Sequence, residues 1–189
     1  MLASITPLGE RSRHQRWPVT VAAHAVAAVA GGAATGALLA AAGSPVRGRI
    51  DAAAVLAVVV LAGLALDLAP VRVPSHRRQV DERWLRRYRG WVYGAGFGFQ
   101  LGTGFLTIAT TASIYATFAA CLLAPSVAWG IAVGGVFGAV RGVVPLAARR
   151  VTTPAALAEL HRRLGLLDAP TRRAAVVVQA ALAAAVFLG

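Results

Sequence analysis

The chain predicts an all-α, polytopic integral membrane protein of about five transmembrane helices with a cytoplasmic N-terminus, and three observations carry that reading. It is 58% hydrophobic with a mean hydropathy of +0.67, more apolar surface than 189 residues can enclose in water, where small domains leave much of their surface wet. Its apolar residues gather in runs close to the roughly 20 residues that cross a bilayer. Two of those runs carry glycine at every fourth position, Gly90, Gly94, Gly98 and Gly102 in one and Gly130, Gly134, Gly138 and Gly142 in the next. In a water-exposed helix each glycine costs about 0.5–1 kcal/mol relative to alanine. In lipid a ladder of small residues lets two backbones touch.

The spans follow in order within a single transmembrane domain, residues 1–189. The first is Trp17 to Ala42; it is too long for the apolar core of a cleavable signal and no small-residue cleavage motif follows, so it is expected to stay in the mature protein. The second is 52–69. The third, 91–123, would make about 50 Å of helix against a hydrocarbon core of roughly 30 Å, so it must tilt, break or start in the interface. A break is expected in the glycine-dense half, Gly94 to Gly104, where a short or re-entrant element fits. The fourth span, 127–146, follows the short Ala124-Pro125-Ser126 turn, and the matching ladders predict close antiparallel packing of spans three and four. The fifth is 174–188.

Two amphipathic segments lie between spans. In 76–90, Val80, Trp84, Leu85 and Tyr88 share one helical face, with Glu82 and Arg86 paired at i,i+4 on another. In 154–167, Thr153-Pro154 is a helix start, Leu157, Leu160, Leu164 and Leu167 line one face, and Asp168-Ala169-Pro170 is a stop. Both suit the inner leaflet, apolar side down and arginines toward the headgroups.

Charge sets orientation. The formal net charge is +12, and all 19 basic residues are arginine. Sixteen flank the spans on one side, in the segments before span one, after span two and before span five, and only Arg47 and Arg49 lie on the other. The positive-inside rule then places the N-terminus in the cytoplasm and the C-terminus outside, as in a multi-pass protein of a bacterial inner (plasma) membrane with an anionic inner leaflet. Nucleic acid is excluded as a partner because these basic loops are too short to form a folded binding module.

Soluble-type chemistry has little to run on. Cys121 is alone, which removes internal disulfides, CxxC redox pairs and cysteine metal clusters. No HExxH, GxSxG or GxxxxGK[ST] motif occurs, and no span places two acids or two histidines at ligand spacing. Neither an enzyme, a cofactor nor a metal is expected.

Polar residues within the spans are the remaining clues, since each is costly in hydrocarbon unless it faces a partner or water. On the third span Thr103, Thr107 and Gln100 fall at about 100°, 140° and 160° from Gly102, away from Gly98 and Gly94 at about −40° and −80°. Gln100, Thr103, Thr107 and Thr110 are therefore candidates to line a solute path, the alternative being hydroxyls bonded back to their own helix carbonyls. Arg141 lies inside the fourth span, and Asp67 near the end of the second is the nearest acid in depth. They form either a buried Asp67–Arg141 pair, a snorkelling arginine or an anion contact. His24, about two turns into the first span, could titrate or bind a cofactor, but without a second ligand it reads first as an interhelical hydrogen-bond donor.

The motif Gly96-Phe-Gly-Phe-Gln-Leu-Gly-Thr-Gly-Phe-Leu-Thr107, with Gly138-Ala-Val-Arg-Gly-Val-Val-Pro145, resembles the bacterial thiol-electron transporter and small-solute exporter superfamily that serves cytochrome c biogenesis. The resemblance covers the middle third of the chain and implies glycine- and proline-broken helices around a central site. Redox members of that family need two intramembrane cysteines; this chain has only Cys121, so only the scaffold carries over. Two functions remain: a small-solute transporter or exporter-like protein, or a non-catalytic accessory or assembly subunit of a larger membrane complex. Five short spans supply little lining for a pathway, which favours a homo-oligomer or a partner membrane subunit.

Overall fold

The computed structural model describes residues 5–69, 83–105 and 111–188, and among these every regular element is helical. The α-helices are α1 (Pro7–Ser12), α2 (Trp17–Ala42), α3 (Ala52–Leu68), α4 (Trp84–Arg87), α5 (Gly90–Thr103), α6 (Ser113–Leu122), α7 (Val127–Gly142) and α8 (Pro154–Leu188), with 3-10 turns at Ser44–Val46 and Val144–Ala148. Two stretches, Trp17–Ala42 and Val127–Ala148, are long and apolar enough to cross a membrane, and Ala52–Leu68 and Ser113–Leu122 are shorter apolar helices. Side chains set the helix starts. Asp51 accepts from the Ala53 and Ala54 amides at 3.0 and 3.1 Å to open α3, and Ser126 from the Trp129 amide at 3.3 Å to open α7.

Helix α2 is the centre of the molecule. Its small residues fall on two faces about 100° apart, one running through His24, Ala28 and Gly31 and the other through Ala25, Gly32, Gly36 and Ala40. Each face takes one glycine ladder. A side chain on Gly94, Gly98 or Gly102 would strike the backbone of Thr20, His24 or Ala28, so α5 runs parallel to α2 along the first face. A side chain on Gly130, Gly134 or Gly138 would strike Gly36, Gly32 or Ala28, so α7 runs antiparallel to it along the second. Ala28 is where both ladders converge, its carbonyl meeting Gly102 from one side and Gly138 from the other.

This corrects the expected pairing of the two ladders with each other. The sequence shows which helices carry glycine but not which neighbour the glycines meet. The less regular small residues of α2 supply two docking faces, so both ladders close on it.

The expected break falls later than the ladder. Helix α5 stays regular through its glycines because α2 pins them, and it ends at Gly104, whose φ of +75° suits glycine alone. Phe105 then stacks on Phe118 of α6 with ring centroids 4.0 Å apart, tying the two half-helices together.

The expected stop at Asp168-Ala169-Pro170 is overturned. Residues Pro154–Leu188 form one helix with Pro170 inside it. The proline forfeits one backbone hydrogen bond, and beside the gap Thr171 Oγ1 donates to the Leu167 carbonyl at 2.6 Å. Upstream, Glu159 accepts from Arg162 at 2.8 Å and Arg163 at 2.6 Å. Hydrogen bonds from Arg162 and then Arg163 hold its carboxyl down at about 2. A depressed carboxylate contributes stability that is present above its unfolded range near 4.5 and lost as pH falls through about 2. Carbon NMR of the Glu159 carboxyl should therefore show a midpoint near 2, returning to about 4.5 when Arg162 and Arg163 are both replaced by glutamine.

Of the amphipathic stretch expected at 76–90, residues 76–82 lie outside the described residues; the rest contains α4.

Candidate functional site

Three polar sites stand out among the described residues, and the first two were only partly visible in the sequence. The first closes the N-terminal end of α2 and α5. Thr6 caps α1 by accepting from the Gly9 amide at 3.0 Å, and this short helix delivers Glu10 into the bundle, where it is 0% exposed. Tyr93 donates to Glu10 Oε1 at 2.5 Å, Thr20 to Oε2 at 2.6 Å and Arg13 to Oε1 at 2.6 Å. Gln15 accepts from the Gly90 amide at 2.9 Å, so the first turn of α5 is held as well. Burial disfavours the Arg13 charge, but its hydrogen bonds with Glu10 and Tyr93 outweigh that and leave its pKa raised. An apolar shell of Ile5, Val21, Phe97 and Trp84 keeps water from the carboxylate.

The second group ties α3, α6 and α8. Asp67 caps the amino end of α6 from a neighbouring helix, Ala112 N donating to its Oδ1 at 2.9 Å and Oδ2 at 3.0 Å. Gln179 of α8, 2% exposed, donates its Nε2 to Asp67 Oδ2 at 2.7 Å. Its Oε1 is buried without a partner. The third is His24, 1% exposed on the α2 face that meets α5, with neither ring nitrogen in a hydrogen bond of ordinary geometry although the Gly94 backbone is close.

The expected Asp67–Arg141 pair does not form. Backbone and amide donors at a helix start satisfy the carboxylate locally, and the Arg141 guanidinium lies 5.1 Å from the centre of the Phe137 ring. Of the solute-path candidates, Thr103 bonds back to the Gln100 carbonyl at 2.8 Å, and its own carbonyl accepts from Thr35 at 3.4 Å. Gln100 is half-buried on α5, and Thr107 and Thr110 lie outside the described residues. Sequence reasoning missed Glu10, Tyr93 and Gln179. Glu10 left one signal, as the single acid in the arginine-rich segment before the first span.

No family model matches the chain, and no solved structure matches it. The chain is similar to the methylamine utilization protein MauF of Paracoccus versutus, 31% identical over 144 residues, which cover 72% of this chain and 52% of the relative. It thus spans about half the length of the curated relative it matches.

Proposed function

We propose that the protein is a non-catalytic accessory or assembly subunit of a membrane-associated amine-utilisation system rather than a solute transporter. The similarity to a methylamine utilization protein carries this reading. The structure supports it on the polar residues: Thr103 bonds within its own helix, Asp67 caps a neighbouring helix, and the two glycine ladders close on α2 by backbone contact. The exporter-like scaffold suggested by the glycine motifs is retained without its redox chemistry, because Cys121 has no second cysteine. The apolar outer faces of α2, α3 and α7, with Val26, Leu38, Val58, Val136 and Val140 all more than 60% exposed, meet lipid or a partner membrane subunit.

Five crossings with the N-terminus in the cytoplasm complete the proposal. Helices α2 and α5 run the same way and α7 runs back against α2, which supports a return crossing by α3. A reporter fused after Gly189 should be active only outside the cytoplasm, and one at residues 75–88 only inside. Both on one side would overturn the five-span topology.

The accessory role is tested in a host that carries this protein and grows on methylamine. Deleting the gene should abolish growth on methylamine and methylamine-oxidising activity in extracts, with uptake of labelled methylamine unchanged. Lost uptake with full extract activity would show a transporter instead.

A further inference from the structure

We propose that Asp67, Gln179 and the Ala112 carbonyl, gathered around Gly63, form an intramembrane site for a small monovalent cation. The inference is independent of the accessory reading. Asp67 is a half-buried acid among apolar helices, and among the described residues its partners are two neutral donors, the Ala112 amide and the Gln179 amide. A carboxylate partly withdrawn from water favours a cation nearby. The Gln179 side chain cannot turn over, because its Nε2 is committed to Asp67 Oδ2 at 2.7 Å. Its Oε1 must therefore point the other way, where it is buried without a donor.

That direction is toward Gly63. A Cβ built on Gly63 would lie 3.6 Å from Gln179 Oε1, 3.6 Å from the Ala112 carbonyl oxygen and 3.4 Å from the Ala112 methyl. Two oxygens thus face one notch that holds no side chain, beside a carboxylate. An atom seated there comes within coordinating or hydrogen-bonding reach of both after a small displacement. Hard monovalent cations and ammonium groups take such a set of carboxylate, amide and carbonyl oxygens. Ala112, at the N-cap of α6, contributes twice, its amide holding the carboxylate while its carbonyl faces the notch.

The test uses the full chain purified in mild detergent, with thermal unfolding followed by tryptophan fluorescence at fixed ionic strength. Choline chloride is replaced stepwise by sodium, potassium, ammonium or methylammonium chloride. One or more of the small cations should raise Tm in step with the logarithm of its concentration, by about 5 °C at roughly 100 times its dissociation constant. The pattern across the four salts separates alkali-metal from ammonium-type recognition. The shift should vanish in Asp67→Asn and in Gln179→Leu. Gly63→Ala is the safeguard should those variants fail to fold, since its added methyl meets only ordinary contacts while filling the notch. It should fold and lose the shift. Equal Tm values in all salts, a shift retained in Gly63→Ala, or stabilisation by lowered pH with no cation specificity would overturn the proposal.

Discussion

Gly138→Ala is expected to destabilise the protein by about 3 kcal/mol, lowering Tm by roughly 6–12 °C, whereas Gly135→Ala three positions earlier is expected to be neutral or slightly stabilising. The substitution is the same and the surroundings differ. A Cβ on Gly138 would land on the Ala28 carbonyl, a backbone atom that can move only if α2 and α7 separate. A Cβ on Gly135 finds its nearest neighbour, the Ala33 methyl, 4.0 Å away, an ordinary contact. Helix propensity then favours alanine by about 0.5–1 kcal/mol. Gly102→Ala should behave like Gly138→Ala, because it meets the same carbonyl from the other side. Thermal unfolding of the four proteins in one detergent checks this, and equal Tm values would show that the ladders do not close on α2.

Glu10→Ala is expected to cost about 3–5 kcal/mol, the range for breaking a buried charge-paired cluster by removing one member. Its loss removes the shared acceptor of the Tyr93 and Thr20 hydroxyls and the Arg13 guanidinium at once. Tyr93→Phe removes one donor and should cost about 1–3 kcal/mol. Because both changes act on one network, the double variant should be less destabilised than the sum of the singles. Unfolding of the two singles and the double gives that coupling directly, and additivity would mean that Glu10 and Tyr93 are not partners.

These two expectations mark where the sequence was legible and where it was not. The positions of the long apolar helices could be read because each is a continuous apolar run with polar or turn residues at its ends: the helix Trp17–Ala42 matches its run to the residue, and those of the second and fourth runs to within a few. The glycine ladders were legible as packing surfaces for the same reason. Their partner was not, because α2 presents His24, Ala28, Gly31 and Thr35 at helical spacing without a repeated residue type to draw the eye. Pro170 read as a stop because a proline interrupts local hydrogen bonding, yet α8 continues through it. The Glu10 cluster joins residues more than eighty positions apart, and the Asp67–Gln179 bond spans an even longer separation. No periodicity signals such contacts. Asp67 is half-buried and has a different partner from the expected one: Arg141 is the nearest cation in depth in the sequence, while the donors it uses among the described residues are neutral.

The central claim is that the interior formed by α2, α5 and α7 is sealed by backbone contact and carries no solute. The most direct measurement introduces Gln100→Cys or Thr103→Cys into a Cys121→Ala protein and exposes intact cells and inverted vesicles to a charged, membrane-impermeant thiol reagent, with the exposed loop variant Ser44→Cys as the reactive control. The sealed core predicts that neither α5 cysteine is modified from either side while Ser44→Cys is modified fully from one. Modification of Gln100→Cys or Thr103→Cys from water, blocked by an added solute, would contradict it and establish a pathway.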